Sequence, residues 1–206
     1  MPYNVLVVED QMMPRQLFEL YIKSDPRFTL VGSISNAEMA VDFCRHGDVE
    51  LILMDVMTEL GSSGLEASAA VKEEFPDVKI IIVTSMPESS WLERARSIGV
   101  DSFWYKEAQK DPILDVMIRT MEGESIYPDE TPIVHIGNAN NHDFSDREME
   151  VLRELISGDS NAEIAARLGV APSTVKFHVQ NMLQKTGMHT RTELAAVARS
   201  LGIVIK

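Results

Sequence analysis

Three short runs of unbroken apolar residues constrain this chain most. Val5-Leu6-Val7-Val8, Leu51-Ile52-Leu53-Met54 and Ile80-Ile81-Ile82-Val83 show no alternation of polar and apolar positions. As strands they must be buried on both faces, a condition met in a parallel sheet with helices on either side. Residues 29–34 and 102–105 are weaker strand candidates. Between the strands lie amphipathic helical stretches at 14–23, 37–45, 65–74, 89–98 and 112–121. Five strand–helix units predict a doubly wound α/β domain on a five-stranded parallel sheet, with any site at the C-terminal ends of the strands.

The pattern changes after residue 122. Residues 123–142 lose periodicity and hold Pro128, Pro132, Gly137 and the run Asn138-Ala139-Asn140-Asn141, which reads as a linker. Beyond it everything is helical. Ser145 with Glu148 three residues later fits a capping box, and helices are expected near 146–157, 161–168, 172–186 and 191–200. The domains are therefore 1–122, a linker at 123–142, and a small all-α four-helix domain at 143–206. Gly169 suits a left-handed turn and Pro172 a first helical position. Val175, Val179 and Met182 then form the inner stripe of the next helix. This turns Lys176, Phe177 and Gln180 outward and leaves Ser173 and Thr174 near the N-terminus for phosphates. A helix-turn-helix presents its second helix to the major groove in this way.

Charge qualifies that reading. The 206 residues carry 19 basic and 32 acidic side chains, net −13, which as a whole argues against nucleic acid. The imbalance is local: residues 1–122 hold 11 basic and 21 acidic groups, 123–142 none and three, 143–206 eight of each. Lys176, Lys185, Arg191, His178 and His189 fall between 171 and 191 with no acid among them. Asymmetry of this kind between domains is more informative than the sum. The single cysteine, Cys44, excludes a disulfide framework and a multi-cysteine zinc site. No apolar run approaches the roughly 20 residues of a membrane span, and the N-terminus has no basic region or cleavage site of a signal peptide. A cytoplasmic protein without membrane contact is expected.

The strand ends carry the chemistry. Glu9-Asp10 follows the first strand, Asp55 the third, Thr84-Ser85 the fourth and Lys106 the fifth. Carboxylates gathered at one point repel unless a cation sits among them, and a hard oxygen-bound ion such as Mg2+ satisfies them. Lys106 and the Thr84 hydroxyl suit a phosphoryl oxygen, and Asp55 suits a nucleophile forming an acyl phosphate. A phosphatase of the haloacid dehalogenase class uses the same residue types. It places Asp-x-Asp after its first strand, however, where this chain has Glu9-Asp10-Gln11, and no cap domain follows.

Val7-Val8-Glu9-Asp10, Leu53-Met54-Asp55, Val83-Thr84-Ser85 and Ser102-Phe103-Trp104-Tyr105-Lys106 resemble the receiver domain of bacterial two-component response regulators, a flavodoxin-like fold, over residues 2–122. The resemblance implies phosphorylation of Asp55 by a sensor histidine kinase. It also implies Mg2+ held by Asp10, Asp55 and the backbone carbonyl of Met57 with Glu9 assisting, phosphoryl contacts from Thr84 and Lys106, and Phe103 as the switch aromatic. Met57 and Met86 would flank the mouth of the site. Three positions depart from the family pattern: Thr58-Glu59 replace its usual Met-Pro, Gly64 comes one residue late, and Glu107 replaces a common proline. The altered 56–64 loop leaves open a receiver that acts through protein contacts without phosphate.

The stretch from Phe144 to Gly202, with Ser173-Thr174-Val175-Lys176-Phe177-His178-Val179 and Lys185-Thr186-Gly187, resembles the LuxR-type helix-turn-helix of NarL/FixJ regulators. It implies DNA contacts from Ser173, Thr174, Lys176, Phe177, Gln180 and Lys185. It implies dimerisation through Leu194, Val197, Ala198 and Leu201. The expected protein is a transcription regulator rather than an enzyme, with a kinase, a double-stranded DNA operator, a second copy of itself when phosphorylated, and RNA polymerase as partners.

Overall fold

The computed structural model describes residues 1–201 apart from 86, 88 and 107–111, with the backbone alone at 60, 89 and 90. Two compact units result, one from residues 1–84 and 89–130, the other from 131–206 together with 85–88.

In the first unit, β1 (Tyr3–Val8), α1 (Met12–Ser24), β2 (Phe28–Ile34), α2 (Ala40–His46) and β3 (Leu51–Asp55) are followed by two very short strands, β4 (Met57–Thr58) and β5 (Ser62–Ser63). Then come α3 (Gly64–Glu74), β6 (Lys79–Thr84), α4 (Ser89–Ile98), β7 (Ser102–Tyr105) and α5 (Ile113–Met121). The main sheet has the order β2-β1-β3-β6-β7, every pair parallel. This is the doubly wound sheet that the apolar runs predict. Val5, Val7, Leu51, Leu53, Ile81 and Val83 face α1 and α5, where Phe18, Ile22, Val116 and Met117 meet them. Leu6, Val8, Ile52, Met54, Ile80 and Ile82 are also fully buried, on the opposite face. Winding reverses between β1 and β3, so a crevice opens at the ends of those strands.

Three segments differ from the sequence reading. The helix expected from residue 37 opens as a 3₁₀ turn, Ala37–Met39, because the Asn36 side chain accepts from the Glu38 amide. The loop after Asp55 is a hairpin, β4 pairing antiparallel with β5. Residues 123–142 are ordered at both ends. Near their start, the Phe103 amide donates to Ile126 O (2.8 Å), the Ile126 amide to Ser102 Oγ, and the Tyr127 hydroxyl to Val100 O (2.8 Å), so the chain runs along the edge of β7.

In the second unit, β8 (His135–Ile136) and β9 (Ala139–Asn140) form a hairpin across Gly137, whose φ is +61°. Ile136 and Ala139 lie in the core of this unit, and the Asn138 amide donates to Thr186 O. Strands of two residues are too short to show a period, so the sequence reads them as linker. The helices α6 (Asp146–Leu155), α7 (Asn161–Leu168), α8 (Pro172–Thr186) and α9 (Arg191–Ser200) follow. Ser145 and Ser160 each form a full capping box, with Glu148 and Glu163. Gly169 caps α7 in the left-handed conformation (φ 65°), and Ala171 gives α8 no side-chain cap.

Candidate functional site

The strand register sets the acidic site. Val8 is level with Met54, so Glu9-Asp10 emerges beside Asp55; Asp55 is level with Val83, and Thr84 with Tyr105. Five residues from four strand ends thus meet at the C-terminal edge of the sheet. Lys106 Nζ donates to Glu9 Oε2 at 2.6 Å and to Asp55 Oδ2 at 2.8 Å. Its own amide is fixed by Thr84 O at 2.8 Å. Glu9 is 0% and Asp55 5% exposed. The Gln11 amide donates to Glu9 Oε1, and Arg15 reaches Glu9 O.

Among the described residues, one cation serves two buried carboxylates here, while Asp10 adds a third acid. Ligand oxygens of Glu9, Asp10 and Asp55 lie within 4.8 Å of one another, and Asp10 Oδ1 is buried with no hydrogen-bond partner. Burial raises the Asp10 carboxyl and the Glu9 charge raises it further, against weaker pulls from Lys106 and backbone amides. Burial pushes Asp55 up to about 7; Lys106 pulls it down and Glu9 pushes it up. Burial alone would lower Lys106, but Asp55 and Glu9 outweigh it and raise the ammonium. Hard oxygen donors, an orphaned buried oxygen and carboxyls starved of positive charge fit a divalent cation such as Mg2+. Met57, half-buried in β4, lies two residues past Asp55. Met86 lies outside the described residues, as does Glu107.

Thr84 is buried at the end of β6. Phe103 is fully buried in β7, its ring 5.1 Å from Tyr105 and 6.2 Å from Tyr127. The Arg96 guanidinium lies 4.2 Å from the Tyr127 ring centre.

On the second unit, Val175, Val179 and Met182 bury the inner face of α8. Ser173, Lys176, Phe177 (57%) and Gln180 are exposed, and Thr174 is half-buried. Lys185 is placed differently from the other expected DNA contacts. Its Nζ donates to Glu148 Oε2 at 2.6 Å and to Asp143 O at 2.8 Å, beside the Phe144 ring. Glu148 is the capping acid of α6, so the lysine, itself exposed, is held in an ion pair within its own unit. The expected dimer stripe is mostly turned inward in the single chain. Leu194 and Ala198 lie in the core of the unit, and Val197 packs half-buried against it; only Leu201 is exposed. Residues four apart share one face of a helix, and here that face points inward.

The sequence reading missed Thr58 and Ser62. Both are buried and tie the hairpin after Asp55 to residues 37 and 38. Nothing in the local composition marks them, since Ser and Thr are ordinary loop residues.

Comparison with known proteins agrees with this geometry. Residues 5–123 match the response regulator receiver domain, and residues 142–198 match the LuxR family of bacterial regulatory proteins. The chain is 32% identical over 204 residues to the response regulator protein VraR of Staphylococcus epidermidis, covering 96% of this chain and 97% of that one; VraR of Staphylococcus aureus matches equally. Among solved structures, RcsB dimers bound to DNA superimpose with a TM-score of 0.58 at 17% identity, covering 97% of this chain and 99% of that one. The response regulator ChrA of a heme-sensing two-component system gives 0.52 at 22%, with 97% of each chain covered. At those identities the structural likeness concerns the fold. The domain matches and the identity to VraR show that this chain belongs to the two-component response regulators, a transcription regulator with a receiver domain and a LuxR-type DNA-binding domain.

Proposed function

We propose that Asp55 accepts a phosphoryl group from a phosphohistidine on a sensor kinase, and that this controls DNA binding by the second unit as a dimer. The observation that carries the reading is Lys106 bridging Glu9 and Asp55. An ammonium shared by two buried carboxylates is poised to follow charge as it moves from Asp55 onto phosphoryl oxygens. An Asp55 oxygen attacks phosphorus as the P–N bond breaks, and the imidazole leaves with a proton from solvent. Asp10, Asp55 and the Met57 carbonyl would hold Mg2+, with Glu9 assisting, and the ion supplies positive charge against the phosphoryl oxygens. The Thr84 hydroxyl would donate to one of them, and Phe103 would respond to its movement. Asp55 is modified and not turned over by its own chemistry, so the chain is read as a regulator and not as an enzyme acting on a substrate.

For DNA, Lys176, Phe177 and Gln180 would reach base edges, with Ser173 and Thr174 on phosphates. A sensor kinase, an operator, a second copy and RNA polymerase are the partners. No helix among the described residues is long and apolar enough to cross a membrane, and we place the protein in the cytoplasm.

Incubation with a small phosphodonor and Mg2+ tests this. Wild type gains one acid-labile phosphate and Asp55→Asn gains none, because the amide keeps the volume and loses the nucleophile. Equal labelling of both proteins would overturn the assignment; no labelling of either would favour a receiver that works without phosphate.

A further inference from the structure

The hairpin between Asp55 and α3 is fastened at its neck and along its length. The Gly64 amide donates to Val56 O at 2.8 Å, and a Cβ at Gly64 would fall 1.8 Å from Asp55 O, so the returning chain presses on the backbone of the acceptor residue itself. Thr58, 4% exposed, uses its hydroxyl twice: Oγ1 accepts from the Ala37 amide at 2.9 Å and donates to Ser62 O at 3.3 Å. Ser62 Oγ accepts from the Glu38 amide at 3.1 Å. The Glu59 amide donates to Ser35 O, and Ser35 Oγ to Glu59 Oε2 at 2.8 Å. The same turn also holds the other half of the site, since the Glu9 amide donates to Ile34 O at 2.9 Å. Residues 34–38 are therefore a common abutment. On one side they fix Glu9, next to Asp10; on the other they fix the hairpin that carries Met57.

We propose that Thr58 is a positioning residue for the cation site, setting the spacing between the Met57 backbone and the carboxylates of Asp10 and Asp55. This rests on the reading of those groups as Mg2+ ligands. It assigns a role to the longer loop: side-chain hydroxyls of Thr58 and Ser62 brace the segment. Outer groups that orient metal ligands typically contribute tenfold or more to metal affinity. Thr58→Val keeps the shape, removes the hydroxyl and strands the buried Ala37 amide. Thr58→Ser keeps the oxygen.

Calorimetric titration of the full-length protein with Mg2+ is the test. We expect Thr58→Val to bind Mg2+ about tenfold more weakly, Thr58→Ser to bind as wild type, and phosphodonor labelling of Thr58→Val to recover at saturating Mg2+. Ser62→Ala, whose Glu38 amide keeps the Asn36 side chain, guards against a folding defect and should weaken Mg2+ binding by a smaller factor. Unchanged affinity in both Thr58→Val and Ser62→Ala would overturn the proposal, as would equal loss in Thr58→Ser. If wild type itself fails to bind Mg2+, and Asp10→Asn gives the same flat titration, the ligand assignment falls instead.

Discussion

Replacing Lys185 by Met separates a structural lysine from a DNA-contacting one. Glu148 is 3% exposed, and its Oε2 receives the Ser145 amide at 2.8 Å, the Ser145 hydroxyl and Lys185 Nζ at 2.6 Å. Removing one partner of a fully buried pair costs about 3–5 kcal/mol. The Lys185 side chain is more than a third exposed, so solvent already screens part of this interaction. Glu148 also keeps both Ser145 donors. About 1–2 kcal/mol remains, together with the lost bond to Asp143 O. For a unit of this size that lowers Tm by about 5–10 °C.

The pH dependence has a definite sign. Burial alone would raise Glu148, but the Lys185 and Ser145 hydrogen bonds outweigh it and hold the carboxyl below its ordinary range. Its stabilisation is therefore complete above the ordinary carboxylate pKa and is lost as pH falls through the lowered folded value. The Lys185→Met penalty should be constant near neutrality and shrink towards acid. Melting curves from pH 7 to pH 3 measure this, and a salt titration of DNA affinity measures the rest. Lys185→Met should leave the slope of log K against log salt unchanged, whereas loss of a phosphate-contacting lysine reduces it by about 0.9. An unshifted Tm with a slope reduced by that amount would refute the structural role.

Two further outcomes follow from packing. Gly64→Ala drives a Cβ into the Asp55 carbonyl at 1.8 Å and should destabilise the first unit by about 1–3 kcal/mol, read from the midpoint of urea unfolding; wild-type stability would show that the neck can open freely. Burial pushes the Cys44 thiol up to about 11, so at pH 8 it should react with a thiol reagent only as the receiver unfolds; labelling of the native protein at the rate of a free thiol would contradict its burial.

The sheet and most helices are legible in the sequence because each obeys a single period over enough residues. Buried strands such as Ile80 to Val83 cannot be polar on either face, and α8 must repeat its apolar contacts every three or four residues. The acidic site is legible because its residues follow such strands directly: parallel register carries Glu9, Asp55, Thr84 and Lys106 to one edge whatever the loops do. Two-residue strands carry no period, so the hairpins around Glu59 and Gly137 read as loop. Their stability comes instead from backbone partners at a distance, as when Asn138 bonds to Thr186.

The sequence alone leaves the charge and face assignments in the second unit open for a related reason. A lysine in a basic stretch reads as a DNA contact, and the sequence does not show that it also has a partner 37 residues earlier, as Lys185 has in Glu148. The apolar face of α9 is likewise consistent with a core or with a second copy, because both bury the same side chains. Depth decides between them. Leu194 and Ala198 have no exposed surface left to offer, whereas Leu201 of the same stripe and Thr192, Ala196 and Arg199 on the other side of α9 are exposed. A side chain that completes the core of its own unit cannot also be the area a dimer buries.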